Sequence, residues 1–335
     1  MEIIEVKQKY PKDYFKIDFS IGNICNYQCW YCPPSAHIGN IKWPDIDVVR
    51  KNLSFLLDYY IEHTDKKRFE ISLLGGEVTH WKEFIPFVKY FKEKYNCLFT
   101  LTTNGSKSLE WWETAAPYLS QITISHHQAF CSKEHLRDLA DLIYKKNVLV
   151  GISVLMDPKC WDDCIESIEY YKKSKYRWSI TYIEVLHIDI KYTKQQLDLI
   201  SNVRARTSNP FYYLRVNKTW RCNTRVIDSN NKTHKVSDNA LLHQRLNHFE
   251  GWECNVGKDW LAIRSDGTIS GICSNKLFDQ SKVYNLYDEK FVDVFRPKIT
   301  NTVCSQGICW CGFEINMNKK KIEPTSKKVI PIHEN

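Results

Sequence analysis

Three cysteines lie within eight residues of one another near the start of the chain. Cys25, Cys29 and Cys32 have the spacing C-x3-C-x2-C and follow an apolar run at residues 17–24. Three thiolates on one loop can hold three irons of a [4Fe–4S] cluster, and the fourth iron is then open for a substrate or cofactor. The alternative is a disulfide or a zinc site, for which His37 is the nearby candidate for a fourth ligand.

Strand-like and helix-like periodicities alternate on either side of this loop. Six strand–helix units in strict alternation indicate a parallel sheet with right-handed crossovers, and six is fewer than the eight units of a closed (β/α)8 barrel. After the apolar run, the predicted strands are 68–74, 97–103, 121–126, 148–156 and 179–187, and the predicted helices are 45–63, 84–91, 109–119, 136–143, 161–171 and one that begins at 194 behind a capping box.

The cysteine spacing, with the aromatic Tyr31 just before the last cysteine, resembles the radical S-adenosylmethionine (SAM) superfamily. The resemblance implies that the open iron chelates the amino and carboxylate groups of SAM. An electron from the cluster then cleaves SAM to a 5′-deoxyadenosyl radical. The implied fold is α/β, a partial (β/α)6 TIM-like barrel with a small C-terminal β-hairpin domain for an auxiliary cluster, and the resemblance covers residues 15 to about 313.

Candidate SAM-binding residues follow the strands, where ligands gather in parallel α/β sheets. Gly75, Gly76 and Glu77 come after the second strand and resemble the superfamily motif that binds the SAM amino group. Without the cysteine motif upstream, such a triplet would indicate an ordinary turn. By position, five more residues resemble those that hold the carboxylate, ribose and adenine of SAM in relatives: Tyr31, Asn104, Ser125, Ser153 and Leu186.

Two adjacent histidines, His126 and His127, end the fourth strand. Neighbouring side chains of a strand point to opposite faces of the sheet, so at most one of the two faces the cavity. We expect that histidine to contact substrate rather than to bind a metal.

A second set of cysteines lies late in the chain. The set comprises Cys254, Cys273, Cys304, Cys309 and Cys311, and four of the five would complete a second cluster. A hairpin predicted at 260–272 separates the first two. This arrangement resembles the Twitch domain, the short form of the SPASM domain, with Gly267 in the position of a characteristic glycine. The resemblance implies that Cys254, Cys273, Cys304 and either Cys309 or Cys311 are the ligands; a zinc site or plain buried thiols are the alternatives.

Cys222 lies between the predicted barrel and the hairpin domain. Some radical SAM epimerases use a lone thiol in that region to return a hydrogen atom to the substrate radical. The alternative is a buried structural cysteine, which behaves as a small hydrophobe.

The composition and the charge limit the cellular location and the kinds of partner that we expect. The chain has 335 residues, 43% of them hydrophobic, and a formal net charge of +8. No apolar run reaches the ~18 residues that a membrane span requires, and the start of the chain does not resemble a signal peptide. We therefore expect a cytoplasmic protein without a membrane partner, in which clustered thiols are metal ligands. The basic residues are spread along the chain, which disfavours nucleic-acid binding.

The predicted organisation is a radical SAM barrel at 1–205, a connecting segment with a possible hairpin at 206–253, a Twitch-like domain at 254–317 and a basic, solvated tail at 318–335. Relatives that the chain resembles modify ribosomal peptides or oxidise and epimerise amino sugars. We expect an oxidoreductase or epimerase that acts on a small, sugar-like molecule, because the residues before the first predicted strand are too few for a winged-helix leader-binding domain. The alternatives are modification of a ribosomally made peptide and a non-catalytic Fe–S electron carrier. An electron donor such as flavodoxin or ferredoxin would be the protein partner.

Overall fold

The computed structural model describes residues 2–7, 11–185, 187, 189–206, 224–236, 241, 245–270, 283–309 and 317–322. The first strand, β1 (Ile3–Lys7), belongs to a second sheet. The main sheet contains six parallel strands that are neighbours in chain order. These strands are β2 (Tyr14–Ser20), β3 (Arg68–Leu74), β4 (Leu98–Thr103), β5 (Gln121–His126), β6 (Leu149–Leu155) and β7 (Ser179–Ile183).

Helices connect these strands, as the periodicity predicts. Asp45 begins the longest helix as its N-cap and accepts hydrogen bonds from the amides of Asp47 (2.8 Å) and Val48 (3.1 Å). The predicted capping box is confirmed, because the side chains of Thr193 and Gln196 each accept a hydrogen bond from the other's backbone N–H. The helices are α1 (Pro34–His37), α2 (Ile46–His63), α3 (Phe84–Tyr95), α4 (Leu109–Ala115), α5 (Lys133–Lys145), α6 (Trp161–Lys172) and α7 (Lys194–Arg206).

The two faces of the main sheet differ in chemistry. On β2, Phe15 packs against Tyr60 of α2 with 4.0 Å between ring centroids, and Ile17 and Phe19 are likewise fully buried on the helix side. The alternate residues face the opposite side, where Asp18 accepts a hydrogen bond from the indole Nε1 of Trp260 at 2.9 Å. The same alternation continues across the sheet, so polar side chains line the face away from the helices.

A hairpin extends this sheet beyond β2. It consists of β11 (Trp260–Ile263) and β12 (Thr268–Ser270), and β13 (Tyr284–Asn285) pairs with its outer strand. The predicted hairpin is therefore present, and β11 pairs in parallel with β2. Gly267 in its turn has φ +86°, and a Cβ there would lie 2.4 Å from Oδ1 of Asn285, so only glycine fits. The short helix α8 (Phe291–Val294) follows β13.

The second sheet joins both ends of the described chain. Its order is β14 (Thr302–Val303), β10 (Glu253–Cys254), β15 (Lys319–Lys320), β1, β8 (Thr224–Asp228) and β9 (Thr233–Val236). Beneath it a small apolar cluster includes Val6, Val226, Phe249, Trp252 and Cys309. The predicted hairpin at 224–236 is confirmed as β8 and β9.

The structure differs from the sequence predictions in three places. Residues 319 and 320 form a strand, and Lys319 is buried, whereas a solvated tail was expected from residue 318. The strand β1 precedes the first predicted strand, and β7 ends at Ile183 instead of continuing to residue 187. The predicted strand at 211–216 lies outside the described residues. An α/β fold with a mixed, mostly parallel sheet is thus observed, while the partial barrel and a separate hairpin domain stay predictions.

Among the described residues, no helix combines the length and the apolar character needed to cross a bilayer.

Candidate active site

The loop that carries Cys25, Cys29 and Cys32 lies between β2 and α1, beyond the carboxyl end of β2. Asn23, which is 1% exposed, fixes its start. The Asn23 amide group donates to the carbonyl of Ser35 (3.1 Å) and to Oδ1 of Asn40 (2.7 Å), while Oδ1 of Asn23 accepts from the Ile41 amide (2.8 Å). One buried side chain therefore joins the two ends of the cysteine loop.

The three thiols of this loop are all at least partly buried. Burial raises the pKa of all three, that of Cys29 to about 11, and Cys25 and Cys32 add an electrostatic contribution at Cys29. Within the described parts of the chain, no three His, Cys, Asp or Glu side chains surround one ion-sized centre. Three thiols on one loop are the donor set that a [4Fe–4S] cluster with one open iron requires, because each thiolate would bind a different iron.

Gly75 and Gly76 pack directly against the backbone that leads into this loop. A Cβ at Gly76 would lie 2.2 Å from the carbonyl oxygen of Ile24, and one at Gly75 would lie 2.8 Å from that of Ile21. The amide of Glu77 donates to the Ile24 carbonyl at 2.8 Å. Glycine at position 76 is therefore required for the end of β3 to contact the cysteine loop.

The Glu77 carboxylate is buried and accepts four hydrogen bonds from the protein. Its Oε1 accepts from the amide (3.3 Å) and hydroxyl (2.6 Å) of Thr79 and from the hydroxyl of Thr103 (2.8 Å). Its Oε2 accepts from the amide of Asn104 at 2.6 Å. Burial raises the pKa of Glu77, and these donors oppose that shift. The carboxylate thus connects the ends of β3 and β4.

Asn104 extends this connection to the cysteine loop. Its side-chain amide donates to Oδ1 of Asn26 at 2.8 Å, and Oδ1 of Asn104 accepts from the amide of Ser106 at 3.0 Å. Asn26, whose amide group donates to Oγ of Ser106 at 3.1 Å, follows Cys25 directly. Asn26 was not identified from the sequence, although its place directly after the predicted cluster ligand Cys25 could have indicated it.

The other predicted SAM contacts lie on neighbouring strands. Ser125 of β5 is directly opposite Ser153 of β6 in the parallel register, on the polar face of the sheet. Oγ of Ser153 lies 2.8 Å from Oγ1 of Thr181 on β7. The structure therefore brings Ser125 and Ser153 together, one strand away from Asn104. Leu186 lies outside the described residues.

The two histidines take opposite faces, as the alternation predicts. His126 is 1% exposed on the helix side, where Nδ1 contacts the Tyr171 hydroxyl and Nε2 lies 2.6 Å from Oε1 of Gln128. His127 faces the cysteine loop, with Nδ1 2.8 Å from the Tyr31 hydroxyl and 3.3 Å from Sγ of Cys29. Burial lowers the pKa of each to about 4.

Trp30 holds the loop on the side of β6 and was not identified from the sequence. Its indole Nε1 donates to Oδ2 of Asp157 at 3.0 Å, and Nζ of Lys159 lies 3.4 Å from the ring centroid. Asp157 follows β6, so the cysteine loop is connected to the ends of β3, β4 and β6. All these contacts lie at the carboxyl edge of the parallel sheet.

The late cysteines are only partly described. Cys254 lies on β10 opposite Thr302 of β14, and the amide of Cys304 donates to the Trp252 carbonyl at 2.8 Å. Cys304 and Cys309 both pack against the apolar cluster of the second sheet. Cys222, Cys273 and Cys311 lie outside the described residues, so the auxiliary cluster stays a prediction.

Comparison with known proteins agrees with this arrangement. Residues 19–183 match the model of the radical SAM superfamily. GTP 3′,8-cyclase of Mannheimia succiniciproducens is 28% identical over 123 residues, and that of Pasteurella multocida is 26% identical over 120 residues. Each match covers 35% of this chain and 34% of the relative, so only about a third of these relatives is represented.

One similar solved structure is that of Streptococcus suis SuiB bound to S-adenosylmethionine. It has a TM-score of 0.52 and 15% identity, and the match covers 86% of this chain and 67% of SuiB. At this identity the likeness concerns the fold. The match of residues 19–183 supports the radical SAM superfamily, and the structural likeness shows a similar fold.

Proposed function

From this superfamily assignment, we propose that the chain is a radical SAM enzyme whose SAM-binding [4Fe–4S] cluster is held by Cys25, Cys29 and Cys32. The observation that carries the proposal is the direct packing of Gly76 and Glu77 on the backbone before Cys25. When bound, cluster and SAM supply hydrogen-atom abstraction from a substrate, and the protein supplies position and exclusion of water.

We propose different roles in SAM binding for the residues around the cysteine loop. Gly75 and Gly76 leave backbone carbonyls close to the cysteine loop, where an ammonium group of SAM can donate to them. Asn26 and Asn104 hold the loop beside the end of β4. Ser125 and Ser153 are proposed to contact the polar part of SAM, and Tyr31 its adenine, mainly through backbone groups.

We propose a small, sugar-like substrate that is oxidised or epimerised. The polar face of the sheet supports this choice, because it carries hydroxyl side chains that retain exposure on four of the parallel strands. These are Ser20, Thr102, Thr123, Ser125 and Thr181. Hydroxyl-lined surfaces suit ligands that both donate and accept hydrogen bonds. Modification of a ribosomally made peptide is the alternative substrate class.

A second, auxiliary [4Fe–4S] cluster would accept an electron from the product radical. Its proposed ligands are Cys254, Cys273, Cys304 and either Cys309 or Cys311. Cys222 is proposed as the hydrogen-atom donor if the reaction is an epimerisation. A flavodoxin or ferredoxin is the proposed electron donor.

Anaerobic reconstitution with iron and sulfide tests the proposal. We expect about eight irons per chain, and 5′-deoxyadenosine detected by mass spectrometry after dithionite reduction in the presence of SAM. About four irons with SAM cleavage intact would keep the enzyme and reject the auxiliary cluster. A cluster that forms without SAM binding or cleavage would favour the electron carrier instead.

Two substitutions make this test specific. Cys29→Ser should remove the SAM-binding cluster and all 5′-deoxyadenosine formation. Cys97→Ala, at a fully buried cysteine between α3 and β4, should leave the iron content unchanged. Equal iron loss in both variants would contradict the assignment of the ligands.

A further inference from the structure

His127 and Tyr31 lie on the same side of Cys29. Nδ1 of His127 is 3.3 Å from Sγ of Cys29, which is within hydrogen-bonding distance for sulfur. The Tyr31 hydroxyl lies 2.8 Å from the same nitrogen, and Tyr31 partly offsets the raised pKa of the Cys29 thiol. Neither Cys25 nor Cys32 has a side-chain donor of this kind among the contacts that the described residues make.

The position of the His127 ring is fixed by its surroundings. It stacks on Tyr31 with 13° between the ring planes, and the edge of Tyr27 meets it at 82°. The His127 carbonyl accepts hydrogen bonds from the Phe130 amide (2.9 Å) and from Sγ of Cys131 (3.1 Å). The imidazole is therefore held beside Cys29 by two aromatic neighbours and through its backbone carbonyl.

A cysteine that ligates iron is a thiolate, so its sulfur only accepts hydrogen bonds. Both neighbours can then donate to it, His127 through Nδ1–H and Tyr31 through its hydroxyl. Donors to a ligating sulfur stabilise the reduced cluster, which carries one more negative charge, and they thereby raise its reduction potential.

We propose that His127 and Tyr31 are positioning residues that raise the reduction potential of the SAM-binding cluster by donating hydrogen bonds to Cys29. This inference rests on the proposed function, since it requires a cluster at Cys25, Cys29 and Cys32. The consequence is that the cluster accepts its electron more readily from a donor protein. Sequence alternation placed one histidine at this edge, and the contact with sulfur gives that histidine a role toward the cluster.

Potentiometry of the reconstituted protein tests the proposal, with the SAM-binding cluster identified by the change of its EPR spectrum when SAM is added. The variants are Tyr31→Phe, His127→Phe and their combination. Both substitutions keep an aromatic ring and remove a donor. Tyr27→Phe is the matched control, because Tyr27 lies in the same loop and no hydrogen bond from its hydroxyl to Cys29 occurs in the structure.

We expect the double variant to show at least a tenfold lower ratio of reduced to oxidised cluster at a fixed applied potential, which is a shift of about 59 mV toward negative values for one electron. Each single variant should shift in the same direction, and Tyr27→Phe should match the wild type. An unchanged potential in the double variant at full iron content, or an equal shift in Tyr27→Phe, would overturn the proposal.

A second measurement applies if the variants assemble poorly. Wild-type reduced cluster exchanged into D2O should lose the exchangeable proton couplings of the two donors in ENDOR spectra, and those couplings should be absent from the double variant even at partial loading. Persistence of these couplings in the double variant would refute the inference alone. Failure of the wild-type protein to bind any cluster at the three cysteines would instead refute the proposed function.

Discussion

Substituting Glu77 by Gln should destabilise the metal-free protein, because the buried carboxylate accepts four hydrogen bonds. The Gln carbonyl oxygen can keep the donors from Thr79 and Thr103. The new amide nitrogen then faces the N–H of Asn104, so two donors oppose each other where one bond of 2.6 Å existed. The Asn104 N–H therefore loses its acceptor, and the new amide group is a second buried donor without one.

The magnitude follows from these contacts. Loss of a hydrogen bond to a charged acceptor costs about 1.5–3 kcal/mol, and a buried unsatisfied donor costs about 1–3 kcal/mol. Removal of a buried charge offsets part of this sum. We expect the free energy of unfolding to fall by about 3 kcal/mol, which is large compared with the effect of a typical surface substitution.

Equilibrium urea denaturation followed by far-UV circular dichroism, without oxygen and with a thiol reductant, measures this difference. Glu83→Gln is the control, since Glu83 makes no capping hydrogen bond at the start of α3, and its free energy of unfolding should stay within about 0.5 kcal/mol of wild type. If Glu77→Gln unfolds like wild type and only loses affinity for SAM, the carboxylate is a ligand of SAM and our structural assignment is wrong.

Three further outcomes follow from single contacts. Gly76→Ala should lower the free energy of unfolding by about 2–3 kcal/mol, because its Cβ would lie 2.2 Å from the carbonyl oxygen of Ile24, whereas Gly307→Ala meets nothing nearer than 3.8 Å and should be neutral in the same urea titration. Burial lowers the pKa of His126 from 6.5 to about 4, so between these values the unfolded chain binds more protons and stability falls as the pH falls. Lowering the pH from 7 to 5 should therefore cost wild type about 2 kcal/mol more than it costs His126→Gln, and equal losses would contradict this. Asp45→Ala removes the side-chain acceptor for two amides at the start of α2 and should cost about 1 kcal/mol by thermal denaturation; no change would show that the cap contributes nothing.

The parallel strands could be predicted from the sequence because each is an apolar run bounded by turn residues. The runs at 68–74 and 121–126 coincide with β3 and β5. The strands β1 and β15 could not be predicted in this way. Lys319 and Lys320 have no strand pattern of their own, and their backbone hydrogen bonds come from partners on β1 and β10 that are remote in sequence.

The candidate site could likewise be predicted from the sequence only where its residues form a local pattern. The cysteine spacing and the Gly75–Gly76–Glu77 triplet are local patterns, so the sequence alone identifies them. The partners of Glu77 are different, because Thr103 and Asn104 reach it only through the register of β3 with β4. The choice between His126 and His127 likewise depends on which face of β5 borders the cysteine loop.

The second sheet also imposes an order of assembly on the growing chain. The six parallel strands of the main sheet pair with their nearest neighbours in sequence, so each pairing can form soon after its strands are synthesised. In contrast, β1 precedes the other described strands, yet one of its two neighbours in the second sheet is β15, in which Lys320 pairs with both Glu5 and Glu253. Until residue 320 has been added, β1 with β8 and β9 forms one ladder and β10 with β14 another. The earliest of the described strands is thus among the last to gain its full set of partners, and the exposed edges of both ladders are the sites at which a nascent chain is most open to mispairing.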